Sequence, residues 1–221
     1  MRMSRRSTWP LLTLPIVLAT SAAPAAAQDR GPAHTHIGHV AETFRGTPDR
    51  MGLLPTAIAE AEIALQHATL AGRDPTSLDA MQRHAGHVLH ALEPGDSEGG
   101  PGRGYGMIEA ARRAAHYVEL AMVSDGAGEA ITTHGPHVAT AARSAASMGE
   151  RAAELAEEIL AAEDAAEAAG LLEELTSLCD GIVNGVDADG DGRIGWQEGE
   201  GGLAQAAQHL DLLRRGEGLI G

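Results

Sequence analysis

Eleven histidines are the first residues of this 221-residue chain that could do chemistry. Six of them recur in a short pattern, His-x-x-His-Val: His36/His39/Val40, His84/His87/Val88 and His134/His137/Val138, with starts 48 and 50 residues apart. On a helix, residues three apart lie about 60° apart around the axis and face one side. Each pair can therefore offer two imidazoles to one ion. His67 and His116 follow the first two copies after 31 and 32 residues, whereas the third copy has Ala165 and Ala166 at that offset. The candidate ligands are His36, His39, His67, His84, His87, His116, His134 and His137. Imidazole suits copper, zinc, nickel and iron. Haem b held between two histidines of a bundle is a second option, though aromatics at 2% leave little to wall a porphyrin. The alternative is that these histidines are hydrogen-bonding groups at helix ends and interfaces. His90 would widen the second pair to about 120°, too far for one ion. His209 stands alone and reads as a surface or hydrogen-bonded residue. Met81 and Met107 lie near histidines but read as core.

The second chemical feature is the run Asp187-Ala188-Asp189-Gly190-Asp191-Gly192-Arg193-Ile194-Gly195-Trp196-Gln197-Glu198. Carboxylates at alternate positions suit a hard cation that takes six to eight oxygens. The run resembles the calcium loop of the EF-hand family. The resemblance implies side-chain ligands from Asp187, Asp189 and Asp191, the carbonyl of Arg193, and a two-oxygen grip from Glu198. Gly192 falls at the sharp turn, Ile194 at the apolar position that pairs with a second loop, and Gly195 where water completes the shell. Two departures are visible. Gly199, Gly201 and Gly202 follow where the family continues into a helix, and there is one loop rather than a pair. Both favour a structural or buffering site over a sensor. The unpaired loop makes a homodimer an expectation to check.

Residues 1–27 have the form of a secretory leader: Arg2, Arg5 and Arg6, an apolar run from Leu11 to Ala19, and Ala25-Ala26-Ala27 before Gln28. The mature chain is expected to begin at Gln28, in the periplasm or outside the cell. No later apolar run is long enough to span a bilayer. The net charge of −15 becomes more negative once the leader's arginines are gone, which argues against nucleic acid and anionic membranes as partners. All sixteen basic residues are arginine, which removes lysine-dependent phosphate loops, Schiff bases and lysine general bases. Gly-x-Ser-x-Gly, His-Glu-x-x-His and Cys-x-x-Cys-His are also missing. Cys179, the single cysteine, allows no internal disulfide and reads as a small buried residue; a dimer-linking thiol is the sharper alternative.

The elements that must position these groups are helices. His34–Val40 reads as a loop entering a short helix. Leu53 to Gly72 reads as the next, and a third is expected to run from Pro75 to about Leu92, capped by Asp74. Met107 to Val123 follows. From Glu129 the chain favours helix, with Pro136 near its start and a break near Gly170. Leu175, Leu178, Ile182, Val183 and Val186 mark a buried stripe entering the acidic loop, and Leu203, Ala206, Ala207 and Leu210 one leaving it. The glycine-rich stretch ending at Gly106, with Arg103, could cradle an anion but reads as a plain mobile connection. The expected fold is an all-α bundle of degenerate helical-hairpin repeats near fifty residues each, ending in a single EF-hand helix-loop-helix. The expected divisions are 1–27, 28–170 and 171–221. Function is expected to be calcium binding by an exported protein with a second, histidine-lined metal or haem site. A structural or interaction protein with calcium as a staple, and a metal or haem redox enzyme, remain alternatives.

Overall fold

A chain with one phenylalanine, two tyrosines and abundant alanine can bury its apolar surface only by bringing helix backbones close together. The computed structural model describes residues 31–95 and 100–221; the leader-like segment and its cleavage site lie outside the described residues. Seven α-helices are present among them: α1 (Pro32–Ala41), α2 (Leu53–Ala71), α3 (Leu78–Leu92), α4 (Met107–Val123), α5 (Glu129–Ala161), α6 (Ala165–Asn184) and α7 (Leu203–Gly216). The architecture is an all-helical bundle. Among the described residues there is no strand, only an isolated antiparallel bridge between Thr43 and Met51.

The 33-residue α5 is about 50 Å long and serves as the axle, with α3, α4, α6 and α7 packed along it. Its buried face is mostly alanine, including Ala139, Ala141, Ala142, Ala145, Ala152 and Ala156. α2 packs on α3, α4 and α6, and α1 lies on α4. Backbone proximity is tightest where glycine stands. A Cβ on Gly202 would come 2.4 Å from the Gly185 amide nitrogen, and one on Gly52 would come 2.6 Å from the Ala41 carbonyl carbon. One hydrophobic core runs through all seven helices, and the 170/171 division falls inside α6.

Several helix ends differ from expectation for local reasons. Asp74 does not cap α3; its carboxylate is taken by the Thr76 amide and hydroxyl, and Ser77 caps instead, accepting from Ala80. Gly170 lies within α6 rather than at a break. The break falls at 162–164, where Asp164 accepts from the amides of Ala166 and Glu167. Val186 leaves the buried stripe because α6 ends at Asn184 and Gly185 turns the chain at φ 82°, which exposes Val186. Pro136 stays inside α5. Met81, Met107 and Cys179 are all core residues, and burial pushes the Cys179 thiol up to about 12.

Residues 103–106, just before α4, are anchored rather than loose. Glu60 of α2 is fully buried, and its carboxylate accepts from the amides of Arg103 (2.8 Å), Tyr105 (3.1 Å) and Gly106 (3.2 Å). The glycine-rich segment does cradle an anion, but the anion is the chain's own. Glu217 plays a comparable part at the other end. It accepts from the Ile131 amide at the start of α5 and meets His34 Nε2 at 3.0 Å, which holds α1 against the end of α7. Replacing Glu60 with alanine leaves three amides without their acceptor and should lower unfolding stability by at least about 3 kcal/mol. Chemical denaturation reads this directly, and a loss below about 1 kcal/mol would mean that water replaces the carboxylate.

Candidate metal centres

Helix packing gathers histidines that the sequence keeps far apart. His67 lies near the end of α2, and His84 and His87 flank the middle of α3, so the turn at 72–77 folds them together. His67 Nδ1 is 3.0 Å from His84 Nδ1 and 3.3 Å from His87 Nδ1. A second cluster forms where α7 crosses α5: His209 Nδ1 is 3.2 Å from His134 Nδ1 and 3.3 Å from His137 Nδ1. All six rings are half-buried, and within each cluster the three nitrogens lie within 4.8 Å of one another.

An ion with nitrogen bonds of about 2.0–2.1 Å in tetrahedral geometry separates its ligand nitrogens by about 3.3–3.4 Å. The observed edges are close to that. Neutral imidazole carries one proton on two nitrogens, so three Nδ1 atoms converging on one point cannot all be satisfied by hydrogen bonds among themselves. One cation would satisfy all three lone pairs and leave a fourth position for water or an exchangeable ligand, the arrangement of open rather than closed zinc sites. Within these two clusters, nitrogens 3.0–3.3 Å apart leave no room for a porphyrin between them.

Electrostatics favours the ligating form. Burial first, then the neighbouring imidazoles of His87 and His84, holds His67 below the ordinary 6.5. Burial, His87 and the guanidiniums of Arg83 and Arg73 do the same for His84. In the second cluster burial lowers His137 and His209, each helped by neighbouring histidines. These four rings are therefore held toward the neutral form, in which one of the two ring nitrogens carries no proton and can ligate.

The N-terminal pair is built differently. His36 and His39 lie on α1, and their Nδ1 atoms are buried without a hydrogen-bond partner among the described residues. Burial, then His39 and His116, lowers His36. His116 itself is exposed on α4, and the ring that meets the pair is Tyr117, with centroids 5.7 Å from His36 and 5.2 Å from His39. His90 stays outside the α3 cluster, against the backbone of Gly100.

The acidic loop joins α6 to α7. Asp187, Asp189 and Asp191 bring carboxylate oxygens within 4.8 Å of one another, all exposed. Asp187 accepts from the amides of Gly190 and Gly192, Asp189 from the Asp191 amide, and Asp191 from the Arg193 amide. Gly190 and Gly192 sit at φ 75° and 84°, so the turn needs glycine at both. Glu198 is not brought to the three aspartates; it is exposed and lines a shallow cleft with Arg143, Ser144 and Met148 of α5. The acid that turns inward is Glu200, 7% exposed, accepting from the Gly195 amide at 3.0 Å. Ile194 is 42% exposed. Trp196 links the loop to the second histidine cluster, its ring stacked on His137 at 3.8 Å and 18°.

Compared with protein-family models, curated proteins and solved structures, the chain matches none. Two participants were not legible as such. His209 reads as solitary because its partners lie 72 and 75 residues earlier, yet Ala-Leu-Gln-His67 and Ala-Ala-Gln-His209 share a local pattern that could have paired them. His67 joins the second His-x-x-His pair, not the first that precedes it.

The lowered histidines make a pH prediction for the metal-free chain. Between their folded values and 6.5 the unfolded chain binds more protons, so their stability contribution is present above 6.5 and lost as pH falls below it. Urea midpoints measured at about pH 7.5 and about pH 5.5 should fall in that order. Replacing His67 and His209 with glutamine should flatten the dependence.

Proposed function

We propose that this chain is an exported metal-binding protein that holds d-block ions at His67/His84/His87 and His134/His137/His209, with calcium in the loop 187–198. One observation carries the reading. A three-nitrogen cluster is built twice, on different helices, with the two edges from the lone histidine to the pair agreeing within 0.2 Å. Duplication favours capacity over a single catalytic centre. Half-buried imidazoles with an open fourth position favour ions that bind and exchange, and zinc and copper are the ions such a set suits best, copper more tightly.

Export is supported by the leader-like segment, and the strongly acidic composition agrees with cation handling outside the cytoplasm. Among the described residues no helix is long and apolar enough to cross a membrane. Calcium is supported by three gathered aspartates and by glycines at the turns the loop needs. Glu198 would have to leave its place beside α5 to complete the shell, so binding would tighten the loop. Dissociation constants of roughly 10⁻⁴–10⁻³ M would suffice at extracellular calcium.

Zinc titration by calorimetry, with elemental analysis of protein from the exported fraction, tests the clusters. About two zinc ions per chain are expected at the two clusters. The double replacements His84→Ala/His87→Ala and His134→Ala/His137→Ala should each remove one; unchanged metal content in both would sink the reading. Once the leader is removed, Trp196 is the remaining tryptophan and touches both sites. Its fluorescence should respond to millimolar calcium, and a flat response in fluorescence and calorimetry together would remove calcium from the proposal.

A further inference from the structure

The two three-imidazole clusters share a ring geometry that a third place in the molecule repeats with one substitution. In the α2/α3 cluster the lone ring of His67 lies 5.2 Å from His84 at 28° and 4.6 Å from His87 at 76°. In the α5/α7 cluster His209 lies 5.4 Å from His134 at 35° and 4.6 Å from His137 at 76°. Between α1 and α4, Tyr117 lies 5.7 Å from His36 at 48° and 5.2 Å from His39 at 88°. The paired rings agree as well, at 5.7, 5.9 and 6.3 Å with angles of 81°, 77° and 69°.

Helix register gives the same alignment. Each His-x-x-His pair is followed by a fully buried valine, Val40, Val88 or Val138. The residue after each lone ring is buried: Ala68, Leu210 and, after Tyr117, Val118. The residue three before it is buried too: Ala64, Ala206 and Ala114. His116, one position earlier, points to solvent. The Tyr117 ring therefore occupies the slot that a histidine ring fills elsewhere, and the two imidazoles it faces keep buried Nδ1 atoms that bond neither its phenol nor any other described residue.

We infer that His36, His39 and Tyr117 form a third metal site, chemically distinct from the other two, for an oxidised d-block cation such as copper(II) or iron(III). Two imidazoles supply neutral nitrogen donors, as in the other clusters. The phenol supplies an anionic oxygen once its proton passes to solvent, and this harder, charged donor favours the higher-valent ion over zinc or copper(I). No electron is transferred; the step is exchange of a proton for a metal bond. Phe44 packs edge-on against both His39 and Tyr117, holding those rings from the outer side. The site rests on the metal reading of the other clusters for its template, but its residues are separate from theirs.

Copper(II) added to the metal-free chain provides the test, because a phenolate bonded to copper(II) absorbs in the visible by charge transfer and an all-imidazole site does not. The band should develop in the wild-type chain, vanish in Tyr117→Phe, and vanish in His36→Ala/His39→Ala. Tyr117→Phe keeps the ring and its packing, so its circular dichroism should match the wild type. Copper bound by the two imidazole clusters without any such band would overturn this site while leaving the other reading standing. A band that survives Tyr117→Phe would overturn it too. If the clusters bind neither zinc nor copper and the band still forms, the two-cluster reading fails and this site stands alone.

Discussion

The close approach of helix backbones is the constraint on which the rest of this molecule depends. Alanine faces on α2, α4 and α5 bring their partners near enough that side chains at the edges of each contact must converge. Larger core residues would hold the helices apart, and imidazoles on facing helices would then meet only through water. The histidine clusters sit at the margins of such contacts. Each pair is followed directly by a fully buried valine, Val88 after His87 and Val138 after His137. Packing thus fixes how the six imidazoles are arranged.

That placement also sets the charge state. Half-burial penalises the imidazolium, and two further imidazoles at hydrogen-bond distance add repulsion to any proton that arrives. The same two effects keep the imidazoles in the neutral form, which has a lone pair free to ligate. Glu60 shows the complementary solution for a buried anion: three backbone amides surround it, and no cation is required.

The acidic loop and the α5/α7 cluster are physically joined. Trp196 belongs to the loop in sequence and to the cluster in space, stacked on His137 and set edge-on to His209. Gly199 of the same loop donates to Ser144 of α5, and Glu200 binds both the loop amide of Gly195 and, through its carbonyl, Val186. The loop is therefore anchored to the bundle at its second half, while the three aspartates of its first half remain open to solvent.

The all-helical class, the span of α4 and the apolar stripes beside the acidic loop were legible in the sequence, because helical periodicity and capping are local properties. The His-x-x-His pairs were legible for the same reason: three residues on one helix carry their own geometry. The third member of each group was not. His67, Tyr117 and His209 are chosen by which helices cross and at what depth, and a contact 72 residues away leaves no local trace beyond a shared Ala-x-Gln-His pattern. Glu198 fits the loop by position, but it is exposed and lines the cleft against α5 instead of joining the three aspartates. Sequence alone determined which residues could ligate a metal. Tertiary packing, governed by how closely alanine lets helices approach, decided which of them meet.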